Sequence, residues 1–243
     1  MPAPTALITG GTSGIGRATA ELLHERGHRV IVTGQSAEST DAARRELPDE
    51  IVVIRADSRS LADTDRLVDE VKTRFGALSA LFLNAGVSRG VPLDAVEEAT
   101  FDEVFAINTK GQFFTLQRLS PLLADGASVV FTVGTGVTRG MPGGSVTAAS
   151  RGALLAMVPS LAIELAPRRI RVNAVSPGAI DTPIWSKSGM PAEQVARMTG
   201  EMAAQIPFGR FGTAREVAEV VGFLCSPGAS YVTGQHIAAA GGL

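Results

Sequence analysis

Thr9-Gly10-Gly11-Thr12-Ser13-Gly14-Ile15-Gly16 follows directly on the apolar run Ala6 to Ile8 and opens a segment, Gly14 to Arg26, with apolar residues at helical spacing. Glycines at 10, 14 and 16 permit a tight turn, close approach of backbone N–H groups to an anion, and close packing of a helix on a strand. The helix beginning there turns its positive end toward that anion. Loop glycines also serve plain turn chemistry. Strand, loop and helix in this order, at the start of a βαβ unit, nevertheless form the arrangement that cradles a pyrophosphate. The stretch therefore predicts a nucleotide-binding α/β domain with its phosphates over Gly10, Thr12, Ser13, Gly14, Ile15 and Gly16.

Outward from this loop, short β-branched runs alternate with longer segments of helical period, the pattern of repeated βαβ units. The predicted strands are Ala6 to Thr9, Arg29 to Thr33, Ile51 to Arg55, Ala80 to Asn84, Ser128 to Val133, Arg171 to Val175 and His236 to Ala239. The predicted helices are Gly14 to Arg26, Glu38 to Leu47, Leu61 to Phe75, Phe101 to Leu123 and Val146 to Leu165. Pro159 removes a backbone donor inside the last one, which predicts two segments or one bent helix. The pattern specifies an α/β, Rossmann-like doubly wound fold: a seven-stranded parallel sheet with helices on both faces, in a single domain over residues 1–243. The stretch from Thr182 to Pro207, with Gly189, Pro191 and Gly200, reads as a mobile segment covering the substrate at the carboxyl edge of the sheet.

Composition narrows the function classes. A formal charge of -2 without a basic stripe argues against nucleic acid as a partner. A single cysteine, Cys225, permits no internal disulfide, and His24, His28 and His236 are too dispersed for a metal motif. Met1-Pro2-Ala3-Pro4 lacks a basic leader, and no run of roughly 18 residues is apolar throughout, as a spanning helix would be. The expectation is a cytoplasmic protein with a small-molecule substrate and no membrane partner.

The spacing Thr-Gly-x-x-x-Gly-x-Gly resembles that of the short-chain dehydrogenase/reductases, and further matches follow in that family's order. Asp57 matches the acid that contacts the adenine amino group; by itself it also reads as a helix cap near Ser60. Asn84-Ala85-Gly86 matches the motif that lies along the cofactor. Asn108 matches the catalytic asparagine, and otherwise reads as a side chain bonding its own backbone. Arg171 to Gly178, followed by Thr182, matches the segment closing over the nicotinamide, with Pro177, Gly178 and Thr182 against the cofactor. Tyr231 to Gln235 matches the lead into the last strand, and Ala240 departs from a common, mainly structural aspartate.

The resemblance also locates the catalytic positions. Pro142 to Leu154 aligns without a gap to the family's Tyr-x-x-x-Lys helix, placing Thr147 at the proton-donating tyrosine and Arg151 at the lysine. Counting back thirteen residues places Gly134 at the serine that orients a carbonyl. The Thr hydroxyl is far less acidic than a phenol of pKa about 10, and Arg151 keeps a charge that holds a ribose without relaying a proton. Ordinary ketone reduction is then expected to be impaired. Arg89, Thr135, Thr138, Arg139 and Ser145 read as ordinary loop residues near the pocket, with Trp185, Met190 and Met202 as its apolar lining or as loop packing.

For the cofactor, Gly34 and Gln35 bring no acid to repel a 2′-phosphate, and Gln35 and Ser36 offer donors without charge, which tilts the balance slightly from NAD(H) toward NADP(H). Ser13 stands where many NADP-using members of the resembling family carry a basic residue, and the other reading is that neither dinucleotide is strongly preferred. Three functions remain in view. The first is an oxidoreductase acting on an iminium ion or activated enone, the second a non-redox cyclase, isomerase or lyase on the same fold, and the third a silent nucleotide-binding subunit. The resemblance further implies a homodimer or homotetramer, packed through the helices from Phe101 to Leu123 and Val146 to Leu165.

Overall fold

The computed structural model describes residues 3–182 and 192–243. Its strands are β1 (Thr5–Thr9), β2 (Arg29–Gly34), β3 (Val52–Arg55), β4 (Leu78–Leu83), β5 (Leu123–Thr132), β6 (Arg171–Pro177), β7 (Ile180–Asp181), β8 (Gly212–Thr213) and β9 (His236–Ala239). Seven of them form one sheet in the order β3-β2-β1-β4-β5-β6-β9, every pair parallel, while β7 and β8 pair separately. The helices are α1 (Gly14–Glu25), α2 (Ala37–Glu46), α3 (Leu61–Arg74), α4 (Glu98–Phe105), α5 (Gln112–Leu119), α6 (Ser145–Leu165), α7 (Ala192–Ala204) and α8 (Ala214–Cys225).

Side chains alternate across each strand, so neighbouring residues enter opposite cores. Leu7, Ile31, Leu81 and Phe131 pack with Val71 of α3, Leu116 of α5 and Leu154 of α6. Ile8, Val32, Phe82 and Val130 pack with Leu23 of α1, Ala43 of α2 and Leu224 of α8. Both sheet faces are therefore covered, which is why these strands read as continuous apolar runs.

Several elements differ from the sequence reading. The helix expected from Phe101 to Leu123 is α4, a wider π-helical stretch at Ala106–Gly111, and α5. It ends in the short turn Ser120–Leu122, where Pro121 interrupts the ladder, and Leu123 already belongs to β5. The register of β5 against β4 shifts between Leu78 and Ala80, which absorbs its extra residues around Gly126 at φ 81°. α8 was not anticipated, although Thr213 and Glu216 form a reciprocal capping box at its start. Within the segment expected to be mobile from Thr182 to Pro207, residues Ala192–Ala204 form α7.

Pro159 breaks nothing: α6 runs unbroken from Ser145 to Leu165. Val146, Ser150, Leu154, Val158 and Ala162 form its buried stripe, whereas Pro159 is exposed and, having no N–H, leaves the Leu155 carbonyl without its helical partner. Replacing Pro159 with Ala restores that bond. Thermal or urea unfolding of P159A is expected to show a gain of about 1–3 kcal/mol, reduced by the added freedom of the unfolded chain.

Candidate active site

The strand order reverses between β1 and β4, so a crevice opens at their carboxyl ends, the place where doubly wound sheets bind ligands. The glycine loop runs along it. A Cβ at Gly16 would lie 2.3 Å from the Gly10 carbonyl oxygen and 2.7 Å from Asn84 Nδ2. Gly10 has φ 65°, and a Cβ there would lie 2.9 Å from the Ala85 Cα. Gly14, at φ 54°, faces Thr182, whose Cγ2 would stand 3.5 Å from a Cβ. The glycine loop and Thr182 thus lie against each other.

Asn84 fixes this cradle from below. Its Nδ2 donates to the carbonyls of Thr9 and Gly10 at 3.3 Å each, and its Oδ1 accepts from Thr132 Oγ1 at 3.2 Å. Thr9 Oγ1 accepts from the backbone N–H groups of Asn84 and Ala85, both at 3.0 Å. Asn84 is therefore a brace of the loop, with its donors directed inward. Ile15 packs against the α1 side of the sheet, and Ser13, at the start of α1, is exposed with no side-chain cap bond. A surface of backbone N–H groups at a helix start, held open by absent side chains, fits a pyrophosphate.

At the end of β2 lie Gly34 and Gln35. Thr12 Cγ2 stands 2.6 Å from where a Gly34 Cβ would be. Ser36 caps α2, accepting from Ser39 N–H at 3.1 Å and donating to Ser39 Oγ at 3.0 Å, so its hydroxyl is already committed, contrary to its reading as a spare donor. Ser60, not Asp57, caps α3. The Asp57 carboxylate instead receives Arg59, with Nη2 at 2.6 Å, and Gln35 Nε2 at 3.3 Å. The Arg59 guanidinium holds that carboxyl below the usual carboxylate range.

The other half of the crevice gathers Gly86, Asn108, Thr132, Gly134, Thr147 and Arg151. Asn108 is wholly buried in the π-helical stretch. Its Oδ1 accepts from Val87 N–H at 2.8 Å, and its Nδ2 donates to the Val87 carbonyl at 2.9 Å and to Ser150 Oγ at 3.0 Å. It thus bonds the strand end after β4 and α6, not its own helix. Arg151 extends beside Gly86, where a Cβ would fall 1.7 Å from its Nη2, and donates from Nη1 to the Thr132 carbonyl at 2.7 Å. Desolvation of its guanidinium pushes Arg151 down to about 10, still charged at neutral pH, and no described carboxylate pairs with it.

The Thr147 hydroxyl is taken up by backbone groups. It accepts from Arg89 N–H at 3.0 Å and donates to the Arg89 carbonyl at 3.2 Å. It latches the loop after β4 onto α6. Gly134 has φ 93° and ψ 151°, a combination essentially confined to glycine. Pro177 and Gly178 close this end, with the Pro177 carbonyl 3.9 Å from a Gly134 Cβ and Gly178 tight against Ala240.

Beside the latch lies a cavity of about 310 Å³ lined by Leu93, Gly140, Met141, Gly143, Gly144, Ser145 and Ala148. Sequence reading named only Ser145 of these. Leu93 and Met141, exposed by 87% and 56%, escaped because isolated loop apolars carry no periodic signal. Arg89 pairs with Glu103, and Thr135 and Thr138 close the turn after Gly134. Trp185 and Met190 lie outside the described residues, and Met202 is on α7. Tyr231 is fully exposed in the carboxyl-terminal turn.

Comparison with known proteins matches residues 10–243 to the family model described as Enoyl-(Acyl carrier protein) reductase. A 3-oxoacyl-acyl-carrier-protein reductase of Thermotoga maritima is 38% identical over 98% of this chain and 96% of its own. The solved structure titled short-chain dehydrogenase/reductase, glucose/ribitol dehydrogenase, from Brucella melitensis superposes with TM-score 0.91 at 36% identity, covering 98% of this chain and 96% of that one. Levodione reductase superposes with TM-score 0.90 at 33% identity over the same shares.

Two substitutions test the frame of the crevice. Asn108→Ala strands the Val87 N–H and carbonyl, and is expected to cost about 2–4 kcal/mol in denaturant unfolding. Gly16→Val places carbon onto the Gly10 carbonyl, so calorimetry is expected to show loss of NADPH and NADH binding.

Proposed function

This chain belongs to the short-chain dehydrogenase/reductases, a family of NAD(P)-dependent oxidoreductases, and from that premise we propose that it reduces substrates needing little proton donation, such as iminium ions or activated enones, in preference to simple ketones. The observation that carries this reading is the Thr147 hydroxyl, whose bonds both end on the Arg89 backbone. Nothing there resembles a phenol with its pKa of about 10, and Gly134 brings no orienting hydroxyl.

The dinucleotide, when bound, supplies the hydride. The chain's residues do the rest. The Gly10 to Gly16 loop seats the pyrophosphate, and Arg151 beside Gly86 offers guanidinium donors to the ribose hydroxyls. Asn108 holds the Val87 strand end against α6, which would keep the residues lining the two halves of the crevice in fixed relation for a bound dinucleotide and substrate. An iminium carbon that accepts hydride becomes a neutral amine with no proton required. An enone takes hydride at its β-carbon, and its enolate then takes a proton from water. NADP(H) is favoured because neither Gly34 nor Gln35 repels a 2′-phosphate.

The assembly we propose is a homodimer or homotetramer in the cytoplasm. Ala149, Ala156, Pro159 and Ile163 form an exposed apolar stripe along α6, with Ile163 exposed by 75%. Phe101 is exposed too and stacks on Phe105 at 4.5 Å. Light scattering at micromolar concentration is expected to give a multiple of the 25.2 kDa chain mass, reduced by Ala156→Arg. A monomeric mass for the unmodified chain contradicts the proposal.

The activity test follows NADPH oxidation with cyclic imines, enones and ketones. Imines or enones are expected to turn over at least about 10²-fold faster than ketones, the contribution of a positioned general acid. Thr147→Tyr with Arg151→Lys is expected to recover part of that ketone activity, whereas adding Gly134→Ser costs about 1–3 kcal/mol of stability through its backbone. Brisk ketone turnover by the unmodified protein defeats the reading. Cofactor binding with no turnover of any substrate favours the silent subunit, and product formed without cofactor oxidation favours the non-redox enzyme.

A further inference from the structure

Gly34 and Gln35 close β2 without bringing a charge to the ribose end of the crevice. β3 runs beside β2 with Gly34 opposite Arg55, its last residue. Arg55 is exposed and donates from Nε to the Gln35 carbonyl at 3.3 Å. Anchored there, its Nη groups have no protein acceptor among the described residues.

The neighbouring charges leave this cation uncompensated. Asp57 by itself would oppose an incoming anion, but Arg59 forks onto it, with Nε at 3.1 Å from both carboxylate oxygens and Nη2 at 2.6 Å from Oδ2. Gln35 Nε2 adds a neutral bond to the same carboxylate at 3.3 Å. Asp57 and Arg59 cancel, Gln35 is neutral, and the remaining positive charge of the group belongs to Arg55. Thr12 Cγ2 stands 2.6 Å from where a Gly34 Cβ would be, while Arg55 pairs with Gly34 and bonds the Gln35 carbonyl, so the glycine loop and Arg55 both border the end of β2.

We infer that Arg55 receives the 2′-phosphate of NADP(H), reaching from β3 to the position where Gln35 supplies no charge. A phosphate monoester carries about -1.5 to -2 at neutral pH, and a guanidinium with both Nη groups free meets its oxygens as a planar fork. NAD(H) presents a hydroxyl there and gains little from the cation. The anchoring of Nε on the Gln35 carbonyl orients the fork before the ligand arrives, which lowers the ordering cost of binding. This assignment rests on the reading that the glycine loop binds a dinucleotide, and it adds which residue sets the choice between the two.

The test titrates unmodified protein, Arg55→Met and Arg55→Lys with NADPH and NADH, and with the fragments 2′,5′-ADP and 5′-AMP, by calorimetry. The unmodified protein is expected to prefer NADPH. R55M is expected to weaken NADPH and 2′,5′-ADP about 10- to 100-fold, the range for a charged hydrogen-bonded contact, while NADH and 5′-AMP stay unchanged. R55K, a point charge without the fork, is expected to fall between them. Arg55 is exposed, so circular dichroism is expected to show the same fold for all three proteins. An equal effect of R55M on both members of each pair, or no effect, overturns the assignment. Failure of the unmodified protein to bind either dinucleotide overturns the cofactor reading itself, a different outcome from retained binding without an Arg55 dependence.

Discussion

The rest of the site depends on a contact in which a side chain is forbidden. The Gly10 carbonyl stands where a Cβ at Gly16 would have to be, and Gly10 itself lies against the Ala85 backbone. These approaches draw the start of α1 onto β1 and β4 at the strand-order reversal, so the helix dipole, the loop N–H groups and the crevice coincide. Asn84 and Thr9 then lock the arrangement, because the carbonyls of Thr9 and Gly10 and the N–H groups of Asn84 and Ala85 each find one of their polar atoms. From that fixed end of β4 the chain passes to Gly86, against which Arg151 lies, and to Val87, which Asn108 grips. Cofactor cradle and candidate reaction centre are therefore two ends of one hydrogen-bonded strand exit.

Much of this was legible because its signals are local. The glycine spacing, the apolar runs Ala6 to Thr9 and Arg29 to Thr33, and the helical period of Leu61 to Phe75 each depend on a few adjacent residues. What escaped depends on separation in the chain or on backbone angles. Arg55 meets the Gln35 carbonyl only because β2 and β3 are paired, and the Thr147 latch on Arg89 spans 58 residues. No residue type announces that Gly134 has φ 93°. α8 was missed for a different reason: its capping box, Thr213 to Glu216, is a local signal that the reading passed over. Of the two outcomes read from Pro159, the break does not occur, since a missing N–H leaves one carbonyl without its helical partner and need not end the helix.

α6 serves several ends at once. Its buried stripe covers the sheet, its first two turns carry the latch and Arg151, and its outer stripe is apolar and open. Ser150 joins these functions, accepting from Asn108 while donating to the Thr147 carbonyl at 2.8 Å. A shift of this helix would move the latch, the cation and the asparagine together, so the local chemistry is bound to the packing of the whole layer.

Gly134 ties residue and backbone together. A serine placed on its present backbone occupies a conformation that costs about 1–3 kcal/mol, whereas the same serine on a relaxed turn carries no such cost. A hydroxyl introduced at this position is therefore expected to need a new turn at Thr135–Val137 along with it. The position cannot be exchanged as an independent part, because its side chain and the path of the chain after β5 are one choice.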